Sequence, residues 1–307
     1  MNEIKNTFRA GFIAVIGKPN VGKSTLMNYL LGQKVAAVSP RPQTTRRNQL
    51  GILTTEQAQL VFVDTPGIHQ PRTRLGEAMN TSALGALKDA DVLLCIADVS
   101  QPPTAEDEHL AAAVNQRAAS TPTFLALNKL DILAGDLREA RQAQFQALLP
   151  GARLFFISAE TGYGVKELLD EVIASLPLGE AFYPEEQVTD LYEREIAADL
   201  VREAALRCLR EEVPHSIAVR VDEYTERGEQ GAFIEATLMV EKDSHKGIVI
   251  GQGGQMLKHI GTSARQAIEQ MSGRRVFLSL RVKVAKNWRD DEQVLRSMGY
   301  RFEGDED

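Results

Sequence analysis

At 307 residues the chain is too long for one small domain, and two are expected. Hydrophobic residues make up 43% and charged residues 25%, ample for a core. The two cysteines, Cys95 and Cys208, exclude a disulfide framework or a cysteine zinc site and fit a reducing cytosol. The net charge of −7 argues against a polyanion partner until its distribution is read. Residues 242–289 carry ten Lys and Arg against Asp243 and Glu269, a local balance of +8 that leaves −15 on the rest.

The longest apolar runs, "FIAVI" and "VLLCIA", fall far short of the about 20 residues a membrane-spanning helix needs. The N-terminus lacks the layout of a signal peptide, so a soluble, cytoplasmic protein is expected.

A strand is predicted over 12–16 and a helix over 23–31. Between them "GKPNVGKS", Gly17 to Ser24, fits G-x-x-x-x-G-K-[ST] in its required strand–loop–helix context. The backbone N–H groups of Gly17, Lys18, Asn20, Val21 and Gly22, in a loop where Pro19 alone lacks one, are expected to wrap a phosphate. Lys23 would reach the β- and γ-phosphates, and Ser24 would ligate Mg²⁺. Thr25 closes the nucleotide-binding stretch, although it and Asn28 also read as ordinary helix residues.

"RPQTTRRNQ", residues 41–49, stands where a first switch belongs. Thr44 and Thr45 are both candidates to close the Mg²⁺ shell when a γ-phosphate is present. A plain basic surface loop would explain the arginines but not the position. Strands follow at 50–56 and 59–64. The second ends in "VFVDTPG": Asp64 is placed to hold Mg²⁺ through water, Thr65 and Pro66 continue the site, and the Gly67 amide can meet a γ-phosphate. Lys23, Thr44, Thr45 and Gly67 are thus the candidate catalytic groups. Many GTPases position water with a glutamine at the next residue. Here it is Ile68, which cannot polarise water, so slow intrinsic turnover is expected. His69 reads as an exposed switch-loop residue rather than a catalyst.

Helices at 77–88, 105–118, 138–148 and 165–176 alternate with strands at 91–98, 123–128 and 153–158. "VLLCIAD" and "FLALN" are continuously apolar, as in strands covered on both faces, and Cys95 is expected in the core. The alternation predicts an α/β fold with a mostly parallel sheet. "LALNKLD" puts Asn128, Lys129 and Asp131 at a strand end. A carboxylate at Asp131 can accept both N1–H and N2–H of guanine, Lys129 can lie over the base, and Asn128 can tie the base loop to the phosphate loop. In "FISAETG", Ser158, Ala159 and Glu160 complete the base site, with the Ala159 amide able to donate to guanine O6. All these loops lie at carboxyl ends of strands, where open α/β sheets bind ligands. Together they resemble the translational-factor class of small GTPases.

Pro177 and "LGEAFYPEE" break the pattern, which places a linker at about 178–189. An amphipathic helix over 190–212 carries Leu191, Ile196, Leu200, Ala204 and Leu209 roughly on one face. "SIAVRVDEY" and "GAFIEATLMVE" read as paired strands. A second glycine loop, "VIGQGG", is followed by a helix near 254–271 and the strand "VFLSLRVKVA". That strand turns Leu280, Val282 and Val284 one way and Ser279, Arg281 and Lys283 the other. The second loop cannot be another phosphate loop, because no Lys-Ser pair follows its last glycine. An α-β-β-α-α-β order with Gly251-x-x-Gly254 between helices is the layout of a type II KH domain, an α+β fold that lets a single-stranded backbone approach its glycines. Lys246, Ile250, Gly251, Gln252, Gly253, Gly254, Lys258, Arg281 and Lys283 are the candidate RNA-binding residues. The acidic end, 303–307, is expected to be disordered.

A GTPase core followed by a KH domain resembles the Era family of bacterial ribosome-assembly GTPases. The resemblance runs over nearly the whole chain, through "GKPNVGKST", "QTTRR", "DTPGIH", "NKLD", "SAETGYGV", "VIGQGGQMLKHIG" and "VKVAKNWRDDEQVLRSMGY". It implies a P-loop G domain over 1–180, a KH domain over 181–307, use of GTP/GDP and Mg²⁺, and binding to the 3′ end of small-subunit ribosomal RNA during maturation of the small ribosomal subunit. In the related group with a hydrophobic residue at the glutamine position, an asparagine matching Asn20 helps bind K⁺ near the phosphates. Trp288 is expected to pack in the core or border the RNA site. A monomer is expected. The resemblance also implies peripheral association with the inner face of the cell membrane, although no amphipathic anchor or lipidation signal is visible. The rival reading is a constitutive RNA-binding module with a merely structural GTP site, against which the complete phosphate-loop chemistry argues.

Overall fold

The computed structural model describes residues 7–33, 36–37, 45–46, 48–66, 73–118, 120–190, 193–210, 213–226, 231–298, 300 and 302. Thr44, Gly67, Ile68, His69, Leu191 and the acidic tail lie outside them. The chain divides into two compact units, one ending at Asp190 and the other formed mainly by residues 191–307.

In the first unit the elements run β1 (Arg9–Ile16), α1 (Lys23–Leu31), β2 (Gln49–Thr54), β3 (Ala58–Asp64), α2 (Arg74–Asp89), β4 (Val92–Asp98), α3 (Ala105–Ala118), β5 (Thr123–Asn128), α4 (Arg138–Leu148), β6 (Arg153–Phe156) and α5 (Val165–Ser175). The strands form one sheet in the order β2-β3-β1-β4-β5-β6, parallel except for the antiparallel β2–β3 pair. Alternate residues of each apolar run feed opposite cores, as the period of two requires. Ile13, Val15, Leu94, Ile96, Phe124 and Ala126 pack with α1 and α5. Ala14, Ile16, Leu93, Cys95, Leu125 and Leu127 pack with α2, α3 and α4. Burial pushes the Cys95 thiol up to about 12, consistent with an inert core residue.

The expected elements appear with small shifts. The strand expected over 50–56 stops at Thr54, because the Thr55 hydroxyl accepts from Gln57 N–H and Ala58 N–H and turns the chain into β3. The strand expected to reach 158 ends at Phe156. β2 is an edge strand, and the linker covers it: Ile52 N–H donates to Val188 O at 2.8 Å and Leu50 N–H to Asp190 Oδ1 at 3.1 Å. The fully buried Gln59 amide accepts from Phe182 N–H and Tyr183 N–H and donates to Tyr183 O.

The second unit runs α6 (Glu193–Cys208), β7 (Ala218–Glu226), β8 (Ala232–Val240), α7 (Asp243–Ile250), α8 (Gln255–Ser272), β9 (Val276–Val284) and α9 (Glu292–Ser297). Its first six elements have the α-β-β-α-α-β order expected of a type II KH domain. The sheet order is β7-β8-β9, antiparallel then parallel, so β9 is an edge. Ile196, Leu200 and Ala204 of α6, with Leu209 just beyond its end, share a core with Ile260, Ala264 and Ile268 of α8. From β9, Leu278, Leu280, Val282 and Val284 join that core. Trp288 is fully buried and donates its indole N–H to Ser216 O at 2.9 Å, so it is a packing residue.

Candidate nucleotide site and nucleic-acid groove

The loop from Gly17 to Gly22 leaves the carboxyl end of β1. Asn20 (φ 64°) and Gly22 (φ 104°) both take the left-handed conformation that closes it. A Cβ on Gly17 would lie 2.5 Å from Ile96 O, so the loop's start is seated on β4. Lys23 is buried, and its Nζ donates to Gly17 O at 2.9 Å and Lys18 O at 3.0 Å. Burial lowers its pKa to about 8 against an opposing pull from Asp64. Lys18 faces the site through its backbone alone. Its side chain runs to α3, with Nζ 2.6 Å from Asp107 Oδ2 and 3.1 Å from Thr104 Oγ1. Pro19 is half-buried in the loop, Val21 is in the core, and Thr25 lies partly buried within α1.

Three oxygens meet beneath this loop. Ser24 Oγ lies 3.1 Å from Thr45 Oγ1 and 2.9 Å from Asp64 Oδ2, and Thr45 Oγ1 lies 3.2 Å from the same carboxylate oxygen. Two hydroxyls and one carboxylate are hard donors of the kind Mg²⁺ takes when phosphates and waters complete its shell, so the set fits that ion. Thr45 is drawn into this group, whereas Thr44 lies outside the described residues. Thr65 turns away and donates its hydroxyl to Val15 O at 2.8 Å, and Pro66 is buried beside it.

The base side is organised by Asn128. Its Nδ2 donates to Val21 O at 2.7 Å, the link between base loop and phosphate loop expected from the sequence. Its Oδ1 accepts from Ala159 N–H at 2.8 Å. That is a correction to the expected geometry: the Ala159 amide is taken by Asn128, because β5 and the loop after β6 end side by side. Ser158 is buried and its hydroxyl accepts from Thr161 N–H, while Asp131 and Glu160 are exposed. Lys129 has φ 68° and its ammonium lies 2.6 Å from Asp98 Oδ2. Asp98 and Asp107 were not singled out from the sequence. The available signal was a charge ending the apolar run "VLLCIAD" and another three residues after Thr104.

In the second unit, Gly251 to Gly254 join α7 to α8, with φ of 71°, 59° and 78° at Gly251, Gly253 and Gly254. Side chains strain such backbone, which explains the glycines. Gln252 and Gly253 are exposed at the tip, while Lys246 and Ile250 are half-buried on α7. From the loop a groove of about 370 Å³ runs between α8 and the edge strand β9, lined by Gly254, Leu257, Lys258, Gly261, Thr262, Arg265, Leu278 and Leu280. Lys258 is therefore brought to the groove. Arg281 and Lys283 are not, because the alternation that aims Leu280 into the groove turns them to the opposite face. There Arg281 is ion-paired with Asp222 and Glu235, each at 3.3 Å.

Comparison with known proteins adds to this geometry. A family model described as a 50S ribosome-binding GTPase matches residues 12–129, and a KH-domain model matches residues 212–289. GTPase Era of Geobacter metallireducens is 43% identical over 96% of this chain and 99% of its own length. The chain belongs to the Era family of GTPases. GTPase Era of Leuconostoc citreum is 42% identical over 97% of this chain and 99% of its own. Among solved structures, Era in complex with MgGDPNP and nucleotides 1506–1542 of 16S ribosomal RNA superposes with a TM-score of 0.90 at 38% identity, covering 96% of this chain and all of that one. A variant of Aquifex aeolicus Era bound to GDP·AlF₄⁻ matches equally well, with a TM-score of 0.90 at 38% identity and the same coverage. The match of Era relatives along both chains means that G domain and KH domain belong together.

Proposed function

We propose that this chain is a Mg²⁺-dependent GTP-hydrolysing switch whose KH domain binds the single-stranded 3′ end of small-subunit ribosomal RNA and assists maturation of the small ribosomal subunit. One observation carries the reading. Lys23, Ser24, Thr45 and Asp64 converge on one phosphate loop in a chain that also bears a glycine-gated apolar groove.

The proposed division is a G domain over 1–180 and a KH domain over 181–307. In the nucleotide site, the backbone N–H groups of the Gly17–Gly22 loop, Pro19 excepted, wrap the phosphates. Lys23 exchanges its two loop carbonyls for phosphate oxygens. Asn128 holds the phosphate and base loops at a fixed distance, and Asp131 reads the guanine edge. Ser24, Thr45 and Asp64 would hold Mg²⁺, which when bound neutralises charge on the phosphates. Thr44 and the Gly67 amide, outside the described residues, are assigned to the γ-phosphate side of the site from the sequence alone. Ile68 supplies no polar atom for the attacking water, so intrinsic turnover is slow. K⁺ held near Asn20 would offset part of that deficit.

In the KH domain the Gly251–Gly254 turn admits the RNA backbone, Lys246 and Lys258 neutralise phosphates, and bases settle against Leu257, Leu278 and Leu280. Arg281 and Lys283 act on approach through charge rather than in the groove. The protein works as a cytoplasmic monomer. Peripheral attachment to the inner membrane face rests on family resemblance alone. Among the described residues no helix is long and apolar enough to cross a membrane.

Two measurements test the proposal. Cross-linking in cells followed by sequencing should return reads at the 3′ end of small-subunit RNA; reads elsewhere would break the specific assignment. RNA affinity should differ between a GTP analogue and GDP, and equal affinities would exclude the switch.

A further inference from the structure

Asp98 ends β4 and is the register partner of Asn128 at the end of β5. Six of the seven residues in β4 are buried and apolar, so packing gives no reason for a charge at its last position. One carboxylate oxygen, Oδ1, accepts from the backbone N–H and the hydroxyl of Ser100 at 3.0 and 2.6 Å. The other, Oδ2, accepts from Lys129 Nζ at 2.6 Å. Burial works to raise the Asp98 pKa, but the bonds from Lys129 and Ser100 outweigh it and hold the carboxyl below its ordinary range. Lys129 leaves the loop from a left-handed backbone (φ 68°), so both ends of its side chain are constrained.

We propose that Asp98 is a positioning residue for nucleotide binding: it anchors the Lys129 ammonium so that the lysine's methylene stem is laid out as a cover for the purine face. The inference rests on the assignment of residues 128–131 as the base loop. The physical gain is pre-organisation. A free lysine loses most of its rotamer freedom when it settles on a base, and one already tethered at its tip loses less. The stem is apolar while its charged head stays with the carboxylate at the rim, as long basic side chains commonly do. Because the stem contacts the ring and not its substituents, Asp98 should affect every purine nucleotide equally. Discrimination of the 2-amino group stays with Asp131.

The test measures the affinity of the full-length protein for GDP and for inosine diphosphate, which lacks the 2-amino group, by competition against a fluorescent nucleotide. Asp98→Asn keeps the shape and the bonds to Ser100 but removes the charge. It should weaken both nucleotides by one common factor of about 5 to 10. Asp98→Glu should recover part of the loss. Lys129→Met should weaken both nucleotides, and Asp98→Asn should add nothing further in that background. Wild-type affinity in Asp98→Asn overturns the proposal. So does a full additional loss on top of Lys129→Met, or a change in the ratio of the two affinities. Normal binding by Lys129→Ala, which removes the stem itself, would sink the base-loop assignment, which separates that failure from a failure of Asp98 alone.

Discussion

Gly22 and Asn128 compete for the same space: a Cβ on Gly22 would lie 2.2 Å from Asn128 Nδ2. That nitrogen holds Val21 O, while the amide oxygen holds Ala159 N–H, so one side chain fastens three loops. Gly22→Ala would push the amide away and also force alanine to φ 104°. The expected cost is about 2–3 kcal/mol of stability in the nucleotide-free protein. GDP affinity should fall with it by roughly tenfold or more. Denaturant unfolding and nucleotide titration check both, and a wild-type midpoint would show that the contact has slack.

Lys23 couples nucleotide binding to pH. Its pKa is lowered to about 8 in the nucleotide-free site, against 10.5 for an ordinary lysine. Between those values the unfolded chain binds the proton and the folded one does not. Lys23 therefore makes stability rise with pH across that window, relative to Lys23→Met. Phosphates restore the charge, so binding takes up a proton there and GDP affinity should fall as pH rises above about 8. Calorimetry at pH 8.5 in buffers of different ionisation enthalpy should reveal the uptake. Its absence from the wild type, or its persistence in Lys23→Met, would contradict the assignment.

The phosphate loop is also held from outside. Asp107 Oδ2 accepts from Lys18 Nζ, from Thr104 N–H at 2.8 Å and from the Thr104 hydroxyl at 2.8 Å, which caps the start of α3 and tethers the loop in one interaction set. Asp107→Ala should cost about 2 kcal/mol, and Asp107→Asn, which keeps an acceptor, less. Thermal unfolding of the two variants gives the order directly, and a wild-type midpoint in Asp107→Asn would deny the charge its role.

Lys258 and Arg281 make a contrast on one strand–helix pair. Lys258 lines the groove, while Arg281 faces away and is paired with Asp222 and Glu235. Lys258→Ala should weaken RNA binding and reduce the slope of log affinity against log salt by about 0.7, the value for one phosphate on a single strand. Arg281→Ala should leave the slope nearly unchanged. A reversed ranking would relocate the RNA to the outer sheet face.

Asn20 tests the proposed K⁺ dependence. Hydrolysis should be faster in K⁺ than in Na⁺, and Asn20→Gly should abolish the difference. Glycine tolerates φ 64° without strain, so the loop keeps its shape while the side chain is removed. Identical wild-type rates in the two salts would reject K⁺ as a participant.

The chain itself determined the two-domain order, the sheet class and both glycine loops. Each depends on neighbours in sequence: apolar period sets the strands, and a phosphate-wrapping loop needs its glycines and Lys23 within eight consecutive residues. Even the two faces of β9 were legible from alternation. Which face borders the groove was not, because that depends on where α8 packs. The partners of Lys18 and Lys129 were hidden for the same reason. Their carboxylates lie 89 and 31 residues away, and short bonds between such positions exist only once the sheet has placed β1, β4 and β5 side by side. Local sequence set which chemical groups are present; tertiary packing decided which of them face a ligand and which hold one another.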